Sequence, residues 1–245
     1  MIILSFDTTS ASGGAALARG GEILSEARTG GSANYSVELF EMTNGLLAAA
    51  SLLLRDVELF AVATGPGSFT GIRVGLAAAQ GWARALGRPV RGVSVFEAML
   101  ARANPPGGLA VPLLDARRGE FYLGVFRGQA KVPAGLVQSS RWVQQGDGLV
   151  LDPARITVLA RELHSERGGG VTFVFREHDK AARDLCERLG TDRDPVTQTI
   201  SVPDFLAGAI ARAAWQAAGE GHLQRPEDLD AYYIRRSDAE LNWRE

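Results

Sequence analysis

The sequence predicts an α/β protein of two lobes, each a mixed β-sheet with helices, and three observations predict it. Apolar residues make up 46% and charged residues 22% of the 245 residues, which is typical of a soluble globular protein with a sizeable core. Short apolar strands alternate with segments of helical period. The opening "IILSFDTTSASGGAAL" returns as "LAVPLLDARRGEFYLGVF", with Asp115 in the place of Asp7. A chance likeness of two short segments is the alternative to a repeated lobe.

The linker "NPPGG" (residues 104–108) is the predicted lobe boundary, because proline and glycine interrupt regular structure. We therefore expect a first lobe over residues 1–103 and a second over residues 104–245. The last helix and the tail are expected to pack back on the first lobe.

Each lobe is expected to open on antiparallel strands. "MIILSF", "AALARG" and "EILSEAR" are predicted strands, the last two joined by a hairpin at Gly20–Gly21. A helix is predicted over residues 36–54 with Ser32 or Asn34 as its cap, and "VELFAVAT" leads through a glycine loop into a helix over residues 71–86. "PVRGVSVFEAMLARA" predicts a strand and a helix. In the second lobe, "LAVPLLD" and "VTFVF" predict strands, and "AARDLCERLG" and "DFLAGAIARAAWQAAG" predict helices.

Charge and cysteine content exclude several classes of protein. The chain has 26 basic and 28 acidic residues and a net charge of −2, so nothing marks a basic nucleic-acid surface. The single cysteine, Cys186, excludes an internal disulfide framework and a cysteine metal cluster. "MIILSFDTTS" lacks the basic start of a signal peptide, and no apolar run is long enough to span a bilayer. We expect a cytoplasmic protein without a membrane segment.

The segment "GPGSFTG" (residues 65–71) lies between a predicted strand and a predicted helix, where free N–H groups and the helix dipole favour an anion. It matches neither a phosphate loop, which needs Gly-Lys, nor the dinucleotide fingerprint, which needs glycine at position 70. Two interpretations remain, a tight turn that brings the helix close to the sheet and direct phosphate contact. The second defines a candidate degenerate nucleotide or anion site, comprising Asp7, Thr8, Gly65, Gly67, Ser68, Thr70, Arg73 and Asp115.

The two predicted helices have apolar arcs wider than one buried face requires. The apolar positions of the first helix cover roughly 240° at about 100° per residue, against about 100° for a single buried stripe. We interpret the excess as a subunit interface, although a helix buried on both sides within a large domain is the alternative. The candidate partner interface comprises Met42, Gly45, Ala49, Leu52, Gly71, Gly75, Ala78, Ala79 and Trp82.

Common catalytic patterns are missing. The three histidines, His164, His178 and His222, form no pair at helical spacing, so no metal site is predicted. Ser68 does not lie in a G-x-S-x-G motif. Asp7 and Asp115 are either acid/base or metal-phosphate carboxylates, or simple turn caps. We assign no catalytic residue.

Five segments, "ILSFDTTS", "GPGSFTGIRVGLAAAQGWA", "GVSVFEAM", "DARRGEFY" and "YYIRRSDAE", resemble the bacterial TsaB (YeaZ) family. They lie in this order between residues 2 and 240, and "GPGSFTG" followed by Arg73 and Gly75 is highly specific. The resemblance implies the two-lobed fold shared by actin, Hsp70 and sugar kinases (the ASKHA fold). The chain departs from the family at Tyr35, where histidine is frequent, and it lacks the paired histidines of the catalytic relative.

The resemblance also implies a function. The family acts in forming N6-threonylcarbamoyladenosine (t6A) at position 37 of ANN-decoding tRNAs, as the non-catalytic partner of a TsaD-like catalytic subunit, joined by a TsaE-like ATPase. We expect tRNA to be bound only through the complex, and a homodimer when the chain is alone. The resemblance implies that the contact with the catalytic subunit and the homodimer contact both use a bundle of the first two helices. These helices map onto residues 36–54 and 71–86. No cofactor is implied, and weak binding of ATP or ADP stays open.

Two other functions are weighed. An ATP-dependent kinase or ATPase of the same fold would place a Gly-Gly loop after a late strand, whereas Gly168–Gly170 precede "VTFVF". A peptidase is the third hypothesis, because relatives carry a glycoprotease label, but the chain offers neither a metal pair nor a triad.

Overall fold

The computed structural model describes residues 1–29, 35–129, 142–165, 170–191 and 197–235. The first sheet has strand order β3-β2-β1-β4-β5. Its strands are β1 (Ile2–Asp7), β2 (Gly14–Arg19), β3 (Glu22–Arg28), β4 (Leu59–Gly65) and β5 (Val90–Ser94). Strands β1, β2 and β3 pair antiparallel, while β1, β4 and β5 pair parallel, so the sheet is mixed.

The second sheet repeats this arrangement. Its strands among the described residues are β6 (Leu109–Asp115), β7 (Phe121–Leu123), β8 (Phe126–Gly128), β9 (Trp142–Gln144), β10 (Leu149–Leu151), β11 (Val171–Arg176) and β12 (Thr197–Val202). The order is β10-β7-β6-β11-β12, with β8 beside β6 and β9 beside β8. β6 pairs antiparallel with β7 and parallel with β11, as β1 does with β2 and β4. The repeat of strand, aspartate, turn and strand is therefore a structural repeat.

Helices cover both sheets and also separate them. The described helices are α1 (Tyr35–Ala49), α2 (Phe69–Leu86), α3 (Val95–Ala103), α4 (Pro153–Ser165), α5 (Lys180–Thr191) and α6 (Ala207–Gly219). α1 and α2 pack on the outer face of the first sheet, and α4 and α5 on the outer face of the second. α3 and α6 lie in the core between the two sheets, so α6 contacts β1 and β2 although it comes from the end of the chain.

The continuous apolar run of β1 follows from its central position. Leu4 and Phe6 point into the core under α1 and α2, and Ile3 points into the core around α3 and α6. Ser5 is fully buried on this second side, and its hydroxyl donates to the carbonyls of Ala16 and Ala207. A strand covered on both faces carries apolar residues at consecutive positions rather than alternating ones.

Several element boundaries differ from the predictions. Helix α1 ends at Ala49, five residues before the predicted end at residue 54, and a separate turn of 3-10 helix follows at Leu54–Asp56. Helix α2 begins at Phe69, two residues before the expected start, because Ser68 caps it by accepting from Gly71 N. It ends at Leu86, as predicted, and Gly87 follows in the left-handed conformation. Helix α4 and strands β9, β10 and β12 were not predicted. The proposed caps Ser32 and Asn34, and most of the Gly168–Gly170 run, lie outside the described residues. In the described part of the chain, no helix is both long and apolar enough to cross a membrane.

Candidate functional site

The cleft between the lobes contains the strand ends where α/β proteins commonly bind ligands. Asp7 ends β1 and Gly65 ends β4 in the first sheet. Asp115 ends β6 and Arg176 ends β11 in the second sheet. Four strands therefore contribute candidate or charged residues at their carboxyl ends.

Both carboxylate oxygens of Asp7 are engaged by protein groups. Oδ1 accepts from the backbone N–H of Thr9 at 3.0 Å and from its hydroxyl at 2.6 Å. Oδ2 lies 3.1 Å from Nη2 of Arg176, which also donates to Thr9 Oγ1 at 3.2 Å. Asp7 is fully buried and Arg176 is 5% exposed. This carboxylate is therefore neutralised within the chain.

The glycines at the start of α2 permit close backbone approach, the first of the two interpretations. A methyl group at Gly71 would lie 1.8 Å from the Thr8 carbonyl oxygen, and one at Gly75 would lie 2.5 Å from Thr8 Oγ1. That hydroxyl donates to the Gly71 carbonyl at 2.6 Å. Thr8 is therefore a structural contact between the β1 turn and the helix.

The rest of the glycine loop is occupied by the protein itself. A methyl group at Gly65 would meet the Tyr232 carbonyl oxygen at 2.8 Å, and one at Gly67 would meet the Thr9 carbonyl oxygen at 2.6 Å. The backbone N–H of Ser68 donates to that same Thr9 carbonyl at 2.8 Å. Ser68 and Thr70 are exposed at the start of α2. These contacts explain the glycines without an anion.

Arg73 makes contacts that offset its unfavourable place near the helix N-terminus. Its guanidinium lies 3.8 Å from the centroid of the Phe69 ring, and Nε donates to the Tyr233 hydroxyl at 3.2 Å. The Phe69 and Tyr233 rings are 5.4 Å apart between centroids. Arg73 was predicted to belong to the candidate nucleotide or anion site, and in the structure it contacts this aromatic pair.

Asp115 caps a turn, one of the two roles considered for it. Its Oδ1 accepts from Arg117 N at 2.7 Å, and its own N–H donates to Asp179 Oδ2 at 2.8 Å. No hydrogen bond or ion pair joins Asp7 to Asp115 among the described residues. Within that part of the chain, no three histidine, cysteine or acidic side chains are grouped to hold a metal. Cys186 is buried, and burial with nearby Asp179 raises the pKa of its thiol to about 12, so it is a poor nucleophile.

The tail segment, residues 224–235, links the two lobes. The Tyr232 N–H donates to the Thr64 carbonyl in the first lobe at 2.8 Å. The Tyr232 hydroxyl accepts from Gln144 Nε2 and from Gly148 N in the second lobe, both at 3.1 Å. Arg235 then pairs with Glu120 and donates to the Ala116 carbonyl. Thr9, Arg176 and Tyr232 were not predicted as cleft residues, and the partners of Arg176 and Tyr232 are distant in sequence.

The second candidate region is the outer surface formed by α1, by Leu53 shortly after it and by α2, here called the helix surface. Its exposed apolar and small residues are Val37, Phe40, Gly45, Ala48, Ala49, Leu53, Ala77, Gly81 and Ala85. Val37, Phe40 and Leu53 each expose 52% or more of their area. A methyl group added at Gly45 or Gly81 would have no heavy atom within 4 Å. The surface is thus rich in apolar and small residues, with Glu41, Asn44 and Arg84 exposed among them, and the described chain does not cover it.

The nine predicted interface residues divide into two groups. Gly45 and Ala49 are exposed, and Met42, Leu52, Ala78 and Trp82 are half-buried beside them. Gly71 is buried against the turn after β1, and Gly75 and Ala79 are buried on the sheet side of α2, so placing these three on a partner surface was wrong. The physical reason is that these small residues let α2 approach β1 and β4. Phe40, Ala77 and Gly81, which the prediction omitted, are exposed instead.

Fold and site together define a two-lobed α/β protein whose cleft is closed by its own side chains and whose first two helices carry an uncovered apolar surface. Sequence comparison matches residues 23–136 to the family described as TsaD, tRNA N6-adenosine threonylcarbamoyltransferase. The tRNA threonylcarbamoyladenosine biosynthesis protein TsaB of Bacillus subtilis (strain 168) is 30% identical over 225 residues, covering 88% of this chain and 98% of that protein. TsaB of Escherichia coli (strain K12) is 36% identical over 90 residues, 36% of this chain and 39% of that protein.

A solved structure agrees with the sequence relatives. The crystal structure of an uncharacterized protein with similarity to peptidase YEAZ from Pseudomonas aeruginosa superposes with a TM-score of 0.73 at 25% identity, covering 96% of this chain and 99% of that one. The two-lobed fold expected from the resemblance is confirmed. The chain belongs to the TsaB family.

Proposed function

We propose that this protein is a non-catalytic subunit of the assembly that forms t6A at position 37 of ANN-decoding tRNAs, where it binds and supports a TsaD-like catalytic chain. A TsaE-like ATPase joins that assembly in the cytoplasm, and tRNA is bound through the complex rather than by this chain alone. The name of the B. subtilis relative supports the pathway. The observation that carries the partner role is the helix surface.

The helix surface has the properties of a protein contact. Exposed apolar patches of this kind mark interaction sites, and small residues allow two helices to approach closely. The surface lies on α1 and α2, both within the residues 23–136 that match the TsaD family. Two chains alike in this region can pair through the same patch on each, in a pseudo-twofold arrangement. The same logic supports a homodimer when the catalytic chain is absent.

The cleft supports a non-catalytic role. Asp7 is bound by Thr9 and Arg176, and the glycine loop is packed against Thr9 and Tyr232. A kinase or ATPase would need these groups to face a nucleotide and its metal ion, so the alternative function gains no support from the site. The net charge of −2 agrees with a subunit that does not bind tRNA strongly by itself.

The experiment is t6A formation in a reconstituted mixture of threonylcarbamoyl-adenylate synthase, TsaD-like subunit and ATPase, with and without this protein. We compare the wild type with Ala49→Arg, which places a charge on the exposed helix surface. Ala181→Arg is the matched control, since Ala181 is exposed on α5 of the other lobe. An arginine at fully buried Ala79 would test folding rather than association.

We expect modified tRNA, measured by mass spectrometry, to require the wild type or Ala181→Arg and to fall at least tenfold with Ala49→Arg. In sedimentation experiments, the wild type and Ala181→Arg should associate with the TsaD-like chain, and Ala49→Arg should associate more weakly. Equal product without this protein would refute the proposed role. If Ala49→Arg is fully active and its sedimentation is unchanged, the helix surface is not the partner contact.

A further inference from the structure

The ion pair between Asp7 and Arg176 joins the two lobes. Asp7 ends β1 of the first sheet, and Arg176 ends β11 of the second, 169 positions later. The nitrogen and oxygen are 3.1 Å apart, with side-chain exposures of 6% for Arg176 and 0% for Asp7. Neither charge is open to bulk water, so the pair acts at low dielectric.

The first lobe does not neutralise Asp7 by itself. Thr9 supplies two neutral donors to Oδ1, and the positive charge comes only from across the cleft among the described residues. Separating the lobes would break the pair and leave each charge without its partner. Removing one member of the pair while the other stays buried would destabilise the protein strongly, because the remaining charge is uncompensated.

We propose that Arg176 is a built-in counter-ion for Asp7 that holds the two lobes closed without any ligand. Two-lobed α/β proteins commonly close around a ligand bound at these strand ends. Here the guanidinium lies against the cleft carboxylate, so this carboxylate is paired without a cation from a ligand.

A second link supports permanent closure. Tyr232 bonds the first lobe through its backbone and the second lobe through its hydroxyl. The two links use different segments of the chain and do not share a residue. The lobes therefore form one rigid support for the helix surface, and this conclusion does not depend on which partner binds there.

The test measures lobe opening by hydrogen exchange and thermal unfolding of the full chain. The variants are Arg176→Gln, which leaves Asp7 unpaired, and Arg176→Gln combined with Asp7→Asn, which replaces the ion pair by two amides. Arg212→Gln is the control, since Arg212 is exposed on α6. Each protein is measured with and without Mg²⁺ and ATP.

We expect Arg176→Gln to lower the melting temperature by about 10 °C, from the usual effect of an orphaned buried charge in a chain of this size. Exchange in residues 8–13 and 177–179 should rise at least tenfold. The double variant should recover most of both losses, and the wild type should show no change with Mg²⁺ and ATP.

Three results would overturn the proposal. If Arg176→Gln has the same hydrogen exchange and melting temperature as the wild type, the ion pair does not hold the lobes together. A double variant no better than the single one would assign the loss to packing rather than to charge. Slower exchange of wild-type residues 8–13 with Mg²⁺ and ATP would show that the cleft closes on a ligand. If Arg176→Gln does not fold, rescue of folding by Asp7→Asn supports the proposal, and failure of rescue contradicts it.

Discussion

Helix α2 contains one glycine that is tightly packed and one that is open to solvent. The same change, glycine to alanine, is therefore expected to lower stability at the first position and to raise it at the second. At Gly71, an added methyl group would lie 1.8 Å from the Thr8 carbonyl oxygen and 3.0 Å from its carbon. Both are backbone atoms that no rotamer change can move. At Gly81, the same methyl group would meet nothing within 4 Å.

The magnitude at Gly71 follows from these contacts. The helix start must move by more than about 1 Å to reach ordinary contact, and overpacking of this kind costs about 1–3 kcal/mol. The movement also disturbs the 2.6 Å bond from Thr8 Oγ1 to the Gly71 carbonyl, worth about 1 kcal/mol. We therefore expect Gly71→Ala to destabilise the protein by about 3 kcal/mol, and Gly81→Ala to stabilise it by up to about 1 kcal/mol through helix propensity.

The assay is urea unfolding of the wild type and both variants, followed by circular dichroism. If Gly71→Ala is as stable as the wild type, the helix does not depend on close contact with the β1 turn, and our account of the glycine motif is incorrect. If Gly81→Ala also destabilises the monomer, the helix surface is covered by something the chain itself provides.

Three further predictions concern single side chains. Tyr232→Phe removes the acceptor for Gln144 Nε2 and Gly148 N and should cost about 1–2 kcal/mol in urea unfolding, whereas an unchanged midpoint would mean that water replaces the hydroxyl. Thr43→Val should stabilise by about 1 kcal/mol in the same assay, because the Thr43 hydroxyl is buried and makes no hydrogen bond within the described residues; a loss of stability would reveal a hidden partner. Burial raises the pKa of Glu97, so its protonated form favours folding, and the contribution is lost as pH rises from about 4.5 through the folded pKa. The melting temperature of Glu97→Gln should therefore rise relative to that of the wild type between pH 4 and pH 7. A constant difference between the two proteins over this range would contradict the prediction.

Much of the fold was predictable because it depends on local patterns. The apolar run of β1 and the end of α2 at Leu86 were predicted from neighbouring residues, and the structure contains both. The Ser68 cap is also a local signal, but the prediction started α2 two residues later, at Gly71. Helix α4 carries a local signal that the prediction overlooked, since Ile156, Leu159, Ala160 and Leu163 recur at helical spacing and pack on the second sheet.

The cleft was harder to predict, since its contacts join distant segments. The pairing of Asp7 with Arg176 spans 169 positions, and only its two ends are visible in the sequence, as charged residues that terminate apolar strands. Nothing local indicates that they meet. The carbonyl of Tyr232 against Gly65 is a similar case.

The sequence by itself determined the α/β class, the repeated strand-aspartate-turn unit and the excess of apolar surface on the first two helices, because composition and periodicity are properties of neighbouring residues. Only the tertiary structure decided which side of α2 faces the sheet. A wide arc of small residues fits either a sheet or a partner, and the choice depends on what approaches it. Gly71, Gly75 and Ala79 face the sheet or the turn after β1, while Ala77, Gly81 and Ala85 face outward, and the cleft between the lobes is closed by an arginine from the opposite lobe.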